Sequence, residues 1–236
     1  KSLREISYCL LLGTDPRYEA PILNLLLREA VLHRGTKVGV IGSPVDLTFP
    51  VHHLGHSLSS LTRLTEGKDT FVKGLAQEPS SSMIIVGTKC FESKEGKAMA
   101  HIISHITSLS EITVQYLPSG ANTVGQLDLG IHEPIHKFED NIKRVLYLFG
   151  ADEEVLSPCS KTFVIYQGSH GDRNADFADL ILPTPTFTEK EATYVNGLGI
   201  SQKTKVAMKG PGETRLDWAI LSLLSLVSSP LQKEED

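Results

Sequence analysis

Tyr8-Cys9-Leu10-Leu11-Leu12-Gly13 and Lys37-Val38-Gly39-Val40-Ile41-Gly42 decide how this chain folds. Each is a short, almost unbroken apolar run that stops at a glycine. Neither alternates apolar with polar residues, so each predicts a strand covered on both faces, which is how a parallel sheet reads. A terminal glycine lets the chain turn sharply away from the sheet edge. The pattern returns in Met83-Ile84-Ile85-Val86-Gly87, Val145-Leu146-Tyr147-Leu148-Phe149-Gly150 and Phe163-Val164-Ile165-Tyr166-Gln167-Gly168. Ala178-Asp179-Leu180-Ile181-Leu182-Pro183 closes the series on proline.

Helical patterns lie between several of these runs. From Pro21 to His33, Ile22, Leu23, Leu26, Leu27, Ala30 and Val31 are expected to face inward, with Asn24, Arg28 and Glu29 outward. Pro21 suits a first helical turn and Gly35 a stop. Lys97 to Ser108 places Met99, Ile102, Ile103 and Ile106 on one side. Arg215 to Val227 is apolar almost all round, its polar strip reduced to Ser222, Ser225 and Ser229. That much apolar surface predicts burial against the sheet and against a partner protein. Strand–helix alternation predicts a doubly wound, mostly parallel α/β fold, with any ligand held by loops at the strand C-termini. Residues 1–236 are expected to form a single domain, with two closely packed halves as the alternative.

Composition narrows the function classes. The 236 residues are 40% hydrophobic and 22% charged, with net charge -5. The pI is near 6.0. There is no basic footprint for nucleic acid, and no run approaches the ~20 apolar residues of a membrane span. Cys9, Cys90 and Cys159 are too far apart in sequence to form a C-x-x-C, a disulfide framework or a cysteine-held cluster. The sequence starts at Lys1; a processed precursor, an expressed fragment or a piece of a larger subunit would all begin this way.

Several stretches imitate chemistry. His132-Glu133-Pro134-Ile135-His136 matches the H-E-x-x-H of zinc hydrolases. That site needs both histidines one turn apart on a formed helix. Pro134 would break the helix and pushes Glu133 out of the helical region. The stretch reads as a connector where a loop meets a helix. His52, His53 and His56 crowd a loop after Pro50, and His101 and His105 share a helix face. Neither group has an evident further ligand with a carboxylate behind it, so both read as solvated surface histidines. Ser169-His170-Gly171-Asp172 holds triad residue types in a row, but a working triad converges from separate parts of a chain. Gly39-Val40-Ile41-Gly42 and Gly197-Leu198-Gly199 complete no dinucleotide fingerprint. No catalytic, cofactor-binding or metal-binding residue is assigned.

Three longer stretches are more specific. They are Gly13-Thr14-Asp15-Pro16-Arg17-Tyr18-Glu19-Ala20-Pro21, then Ile41-Gly42-Ser43-Pro44-Val45-Asp46-Leu47-Thr48 with His53-Leu54-Gly55, then Ile165 to Pro183 continued by Thr188-Glu189-Lys190-Glu191-Ala192-Thr193-Tyr194-Val195-Asn196 and Gln202-Lys203-Thr204-Lys205-Val206. Gln126-Leu127-Asp128-Leu129-Gly130, Leu148-Phe149-Gly150-Ala151-Asp152 and Asp217-Trp218 agree with them. Together they resemble the C-terminal region of the large iron–sulfur subunit of respiratory complex I, in its mitochondrial form, over nearly the whole chain.

The resemblance implies a fold shared with molybdopterin-dependent oxidoreductases such as formate dehydrogenase, retained without the pterin. It implies a non-catalytic domain on the matrix side of the mitochondrial inner membrane, with no cofactor in this chain. The iron–sulfur clusters would belong to the N-terminal part of the subunit, which nothing here matches. The implied partners are that cluster-bearing part and other peripheral-arm subunits, with no nucleic acid and no direct membrane insertion. Where pterin enzymes tend to carry an acidic residue, Gly and Arg after the Asn, this chain has Leu198, Gly199 and Ile200. Ile200 offers a cofactor neither charge nor hydrogen bond. Glu189, Asn196 and Gln202 are expected to persist as hydrogen-bonders that fix loops. The alternatives are a pterin- or nucleotide-binding oxidoreductase domain, and a zinc hydrolase at His132 to His136.

Overall fold

The computed structural model describes residues 3–56, 60, 69–92, 95–109, 111–131, 144–151, 162–171 and 173–228. Stretch 132–136, Asp172 and Cys159 lie outside them. The chain divides into two compact units, Lys1–Thr123 and Val124–Asp236.

The first unit is built on β1 (Tyr8–Leu12), β2 (Lys37–Ile41), β3 (His52–Gly55), β4 (Ser82–Gly87) and β5 (Thr113–Leu117). They form one parallel sheet in the order β3-β2-β1-β4-β5. The order runs one way from β1 and then the other, so right-handed crossovers place connections on both faces. One face buries Cys9, Leu11, Val38, Val40, Met83 and Ile85. Leu23, Leu27 and Val31 of α2 (Pro21–Arg34) pack there, preceded by the short α1 (Pro16–Glu19). The opposite face buries Leu10, Leu12, Ile41, Ile84 and Val86. Phe71 and Leu75 of α3 (Thr70–Gln77) cover it, with Met99, Ile102, Ile103 and Ile106 of α4 (Gly96–Leu109). Two-sided burial is why these strands read as unbroken apolar runs, and the doubly wound fold is the observed one.

Two readings are corrected. On α2 the buried residues are Asn24, Leu27 and Ala30, while Ile22 and Leu26 are exposed. The inward stripe is displaced onto Asn24, whose Nδ2 donates to the Leu47 carbonyl at 3.3 Å while its Oδ1 is buried with no hydrogen-bond partner. His52 and His53 belong to edge strand β3 rather than a loop, and His53 Nε2 lies 3.1 Å from the Gly42 carbonyl. The Gly35 stop holds: its φ of 74° is left-handed, and its N–H bonds to the Ala30 carbonyl.

The second unit holds all but the first residue of α5 (Thr123–Asp128), β6 (Val145–Phe149), β7 (Phe163–Gly168) and β8 (Leu180–Pro183), then β9 (Thr193–Val195), β10 (Ser201–Lys203) and α6 (Asp217–Ser228). β6, β7 and β8 form a parallel sheet in sequence order, and β9 and β10 an antiparallel ribbon. One face of the sheet buries Leu148, Val164 and Tyr166 under Ala151, Ala175 and Ala178. Of the apolar residues of α6, Ile220 is buried, whereas Trp218, Leu221, Leu223, Leu226 and Val227 are exposed. Among the described residues, the helix therefore buries one apolar side chain, Ile220, rather than the whole face that was expected to pack on the sheet. No helix among the described residues is long and apolar enough to cross a membrane.

Candidate functional site

In a sheet of this order, ligands sit at the C-terminal strand ends. Here the ends of β1 and β2 border a pocket of about 220 Å³ lined by Gly13, Thr14, Asp15, Glu19, Gly42 and Ser43, among others. Its side is acidic. Glu19 Oε2 accepts from the Thr14 hydroxyl and from the Asp15 N–H at 3.3 Å. No Lys or Arg lines the pocket. Arg17 turns instead to Asp46, with Nη1 2.7 Å from the carboxylate and 2.9 Å from the Asp46 carbonyl. The Thr48 N–H and then the Arg17 guanidinium hold the Asp46 carboxyl below its usual range.

Three backbone donors around the pocket are already used. Gly13 N–H bonds to the Ile41 carbonyl and Gly42 N–H to the Gly55 carbonyl. Arg17 N–H is taken by Asp15 Oδ1. Beside them the β1–β4 crevice is filled by the protein itself. The Cys90 thiol sits 3.5 Å from the Leu12 carbonyl and 3.7 Å from that of Gly13. Burial, then the Glu19 charge, pushes that thiol up, against an opposing hydrogen bond from its own backbone. A Cβ on Gly87 would stand 2.5 Å from the Gly13 carbonyl oxygen, and one on Gly42 would stand 3.3 Å from Gly13 Cα. Three glycine backbones thus close on one another where a ligand would enter.

A pterin dinucleotide does not fit these residues. Its phosphates would meet two carboxylates with no lining cation, and the pocket is smaller than the roughly 300–1,000 Å³ of sites for drug-sized ligands. The hairpin between β9 and β10 agrees. Asn196 Oδ1 accepts from Leu198 N–H at 2.9 Å and Ile200 N–H at 3.0 Å, leaving Leu198 and Ile200 exposed and apolar. Asn196 and Glu189, which accepts from Thr186 N–H at 3.1 Å, fix loops as expected. Gln202 contributes to β10 through its pairing with Tyr194, and its side chain is exposed.

The other residues singled out do not assemble a site. His53 and His56 rings lie 4.5 Å apart, and His101 and His105 are exposed on α4. No group of three or more potential metal ligands occurs among the described residues. Ser169 Oγ is 2.9 Å from His170 Nδ1, but the His170 carbonyl is held by the Tyr166 hydroxyl.

Sequence reading missed a polar network in the second unit. Tyr147 of β6 donates to Gln167 Oε1. The fully buried Gln167 side chain donates to Asp217 Oδ1 at 3.2 Å and to its carbonyl at 3.4 Å. Lys190 Nζ meets Asp217 Oδ2 at 2.5 Å. Desolvation, then the Asp217 charge, raises the Tyr147 hydroxyl pKa. The network ties two strands, a loop and the start of α6, and every member has a partner, so it fixes structure. The signal available in sequence was the lone Gln167 closing an apolar run.

Known proteins agree with this architecture. The 75 kDa subunit of NADH-ubiquinone oxidoreductase from Reclinomonas americana is 36% identical over 237 residues, 95% of this chain and 34% of that protein. The mitochondrial 78 kDa subunit from Candida albicans is 37% identical over 232 residues, 94% of this chain and 31% of its own length. The mitochondrial NADH dehydrogenase [ubiquinone] iron-sulfur protein 1 of Solanum tuberosum is 34% identical over 226 residues, 93% and 30% respectively. The chain thus spans about a third of the length of these relatives. A chain of the formyltransferase/hydrolase complex from Methylorubrum extorquens, solved with methylofuran, superposes with a TM-score of 0.58 at 12% identity, covering 96% of this chain and 77% of that one, a likeness of fold. The sequence profile of the molybdopterin oxidoreductase family matches residues 1–227, nearly the whole of both units, and the chain therefore belongs to that family.

Proposed function

We propose that the chain is a non-catalytic structural domain of the large iron–sulfur subunit of NADH:ubiquinone oxidoreductase, complex I. In this reading it lies on the matrix side of the mitochondrial inner membrane, in the peripheral arm. It supports electron transfer from NADH to ubiquinone by covering and positioning the cluster-bearing part, and itself carries no cofactor. The observation that carries the proposal is identity of 34–37% across more than nine-tenths of the chain with three subunits of that enzyme. The narrow, acidic strand ends supply the physical reason for a passive role: a pocket lined by two carboxylates and no cation is poorly suited to an anionic cofactor.

The test is native purification through a tag on this chain. The expected result is co-purification with the cluster-bearing polypeptide and other peripheral-arm subunits, with loss of NADH:ubiquinone activity when the chain is depleted. A free monomer, or pterin fluorescence released from the purified chain on denaturation, overturns the proposal.

A further inference from the structure

Of the five asparagines, Asn196 alone is followed by glycine; the others precede Leu25, Thr123, Ile142 and Ala175. Glycine puts no Cβ beside its own nitrogen and bends freely, so an Asn-Gly pair can react with itself. The Gly197 nitrogen gives up its proton to hydroxide and attacks Asn196 Cγ. The new N–Cγ bond closes a succinimide ring as the Cγ–Nδ2 bond breaks, and ammonia leaves after taking a proton from water. Water then opens the ring, at Cγ to give aspartate or at the main-chain carbonyl to give isoaspartate. Only water is consumed.

The hairpin between β9 and β10 holds this pair still. Register pairs Val195 with Ser201, Tyr194 with Gln202 and Thr193 with Lys203. The turn is closed through Asn196 itself. Its N–H bonds to the Ile200 carbonyl at 3.1 Å, and its carbonyl accepts from Gly199 N–H at 2.9 Å. With Oδ1 held by the Leu198 and Ile200 N–H groups, main chain and side chain are both anchored. Ring closure swings Cγ and the Gly197 nitrogen together against these bonds. The anchor is also reversible. β9 and β10 are three residues each and form a sheet of two strands, which is marginal in water by itself. Residues 197–200 are exposed, so hydroxide and water reach them.

We propose that Asn196-Gly197 is a self-modification site gated by this hairpin: it stays asparagine while the hairpin is paired and converts when the hairpin opens. Conversion is one-way. Both products add a negative charge, and isoaspartate routes the main chain through Cγ. That extra carbon falls where Asn196 closes the turn on Gly199 and Ile200, so the same pairing does not re-form. Isoaspartate at this position therefore records the time the hairpin spends open.

The test incubates the full chain, in its native assembly, at pH 8. Conversion is followed by mass spectrometry and by isoaspartate methyltransferase labelling, with a linear peptide of residues 190–206 as the ungated reference. Wild type should convert about tenfold to a hundredfold more slowly than the peptide, because two bonds to Oδ1 oppose ring closure. Gly199→Val leaves the Asn-Gly pair intact but places a β-branched residue at φ 76°, which disfavours the turn. It should convert at close to the rate of its matching peptide. Gly197→Ala should suppress conversion in chain and peptide alike. Equal rates for wild type and peptide overturn the gate, as does a Gly199→Val chain as slow as wild type. Absence of conversion at Asn196 in the urea-unfolded chain, or undiminished conversion in Gly197→Ala, overturns the site.

Discussion

Gly87→Ala tests whether the strand ends of the first unit are closed by direct backbone packing. Gly87 ends β4 and is buried. A Cβ there would stand 2.5 Å from the Gly13 carbonyl oxygen, 3.0 Å from Thr14 Cβ and 3.2 Å from Gly13 C. The nearest obstacle is backbone, and Gly13 is anchored by its N–H to the Ile41 carbonyl, so it cannot swing aside as a side-chain tip can. Overpacking of this kind costs about 1–3 kcal/mol. With no clash the same change would stabilise by ~0.4–1 kcal/mol through the unfolded chain, so the sign itself is informative. Gly35→Ala isolates the conformational cost: its φ is 74° and nothing lies within 4 Å of a new Cβ. It should lose roughly 1–2 kcal/mol. Urea unfolding followed by far-UV circular dichroism reads both. At a slope near 2 kcal/mol/M, a loss of about 2 kcal/mol moves the midpoint by about 1 M. A Gly87→Ala protein as stable as wild type would refute the closed crevice and reopen the site to a ligand.

Three further predictions concern charge and thiols. Asp217→Ala removes the carboxylate that Lys190 and the buried Gln167 amide share, leaving Gln167 only the Asp217 carbonyl, and should cost about 1–3 kcal/mol. Asp217→Asn keeps an acceptor for Gln167 and should lose less; the neighbouring Trp218, the sole tryptophan, reports both by fluorescence. The depressed Asp46 carboxyl contributes stability that is fully present above its usual value of 3.8 and is lost as pH falls through the lower folded value. Wild type should therefore lose thermal stability more steeply below that pH than Asp46→Asn, and parallel curves would refute the Arg17 and Thr48 contacts. Burial pushes the Cys9 thiol up to about 12, so Cys9 should resist alkylation at pH 8 in the native chain and react once it is unfolded in urea.

Much of the fold was legible because local pattern and tertiary environment agree in it. β1, β2 and β4 are buried on both faces and so carry the unbroken apolar runs that announce them. Pro21 and Gly35 bracket α2 because each satisfies a backbone requirement at a helix end. The readings failed where a residue's setting comes from a distant segment. Asn24 was placed outward because its type is polar, but the fold buries it with Nδ2 on the Leu47 carbonyl, a partner 23 residues away. His52 and His53 looked like loop because edge strand β3 has no apolar run of its own.

Family, strand sequence and the absence of a catalytic signature lie in the order of residues alone, since each depends on neighbours along the chain. The state of the strand-end crevice does not. It is set by the approach of Gly87 to the Gly13 carbonyl and of Cys90 to the same turn. These segments are distant in sequence, and parallel pairing of β4 with β1 brings them together.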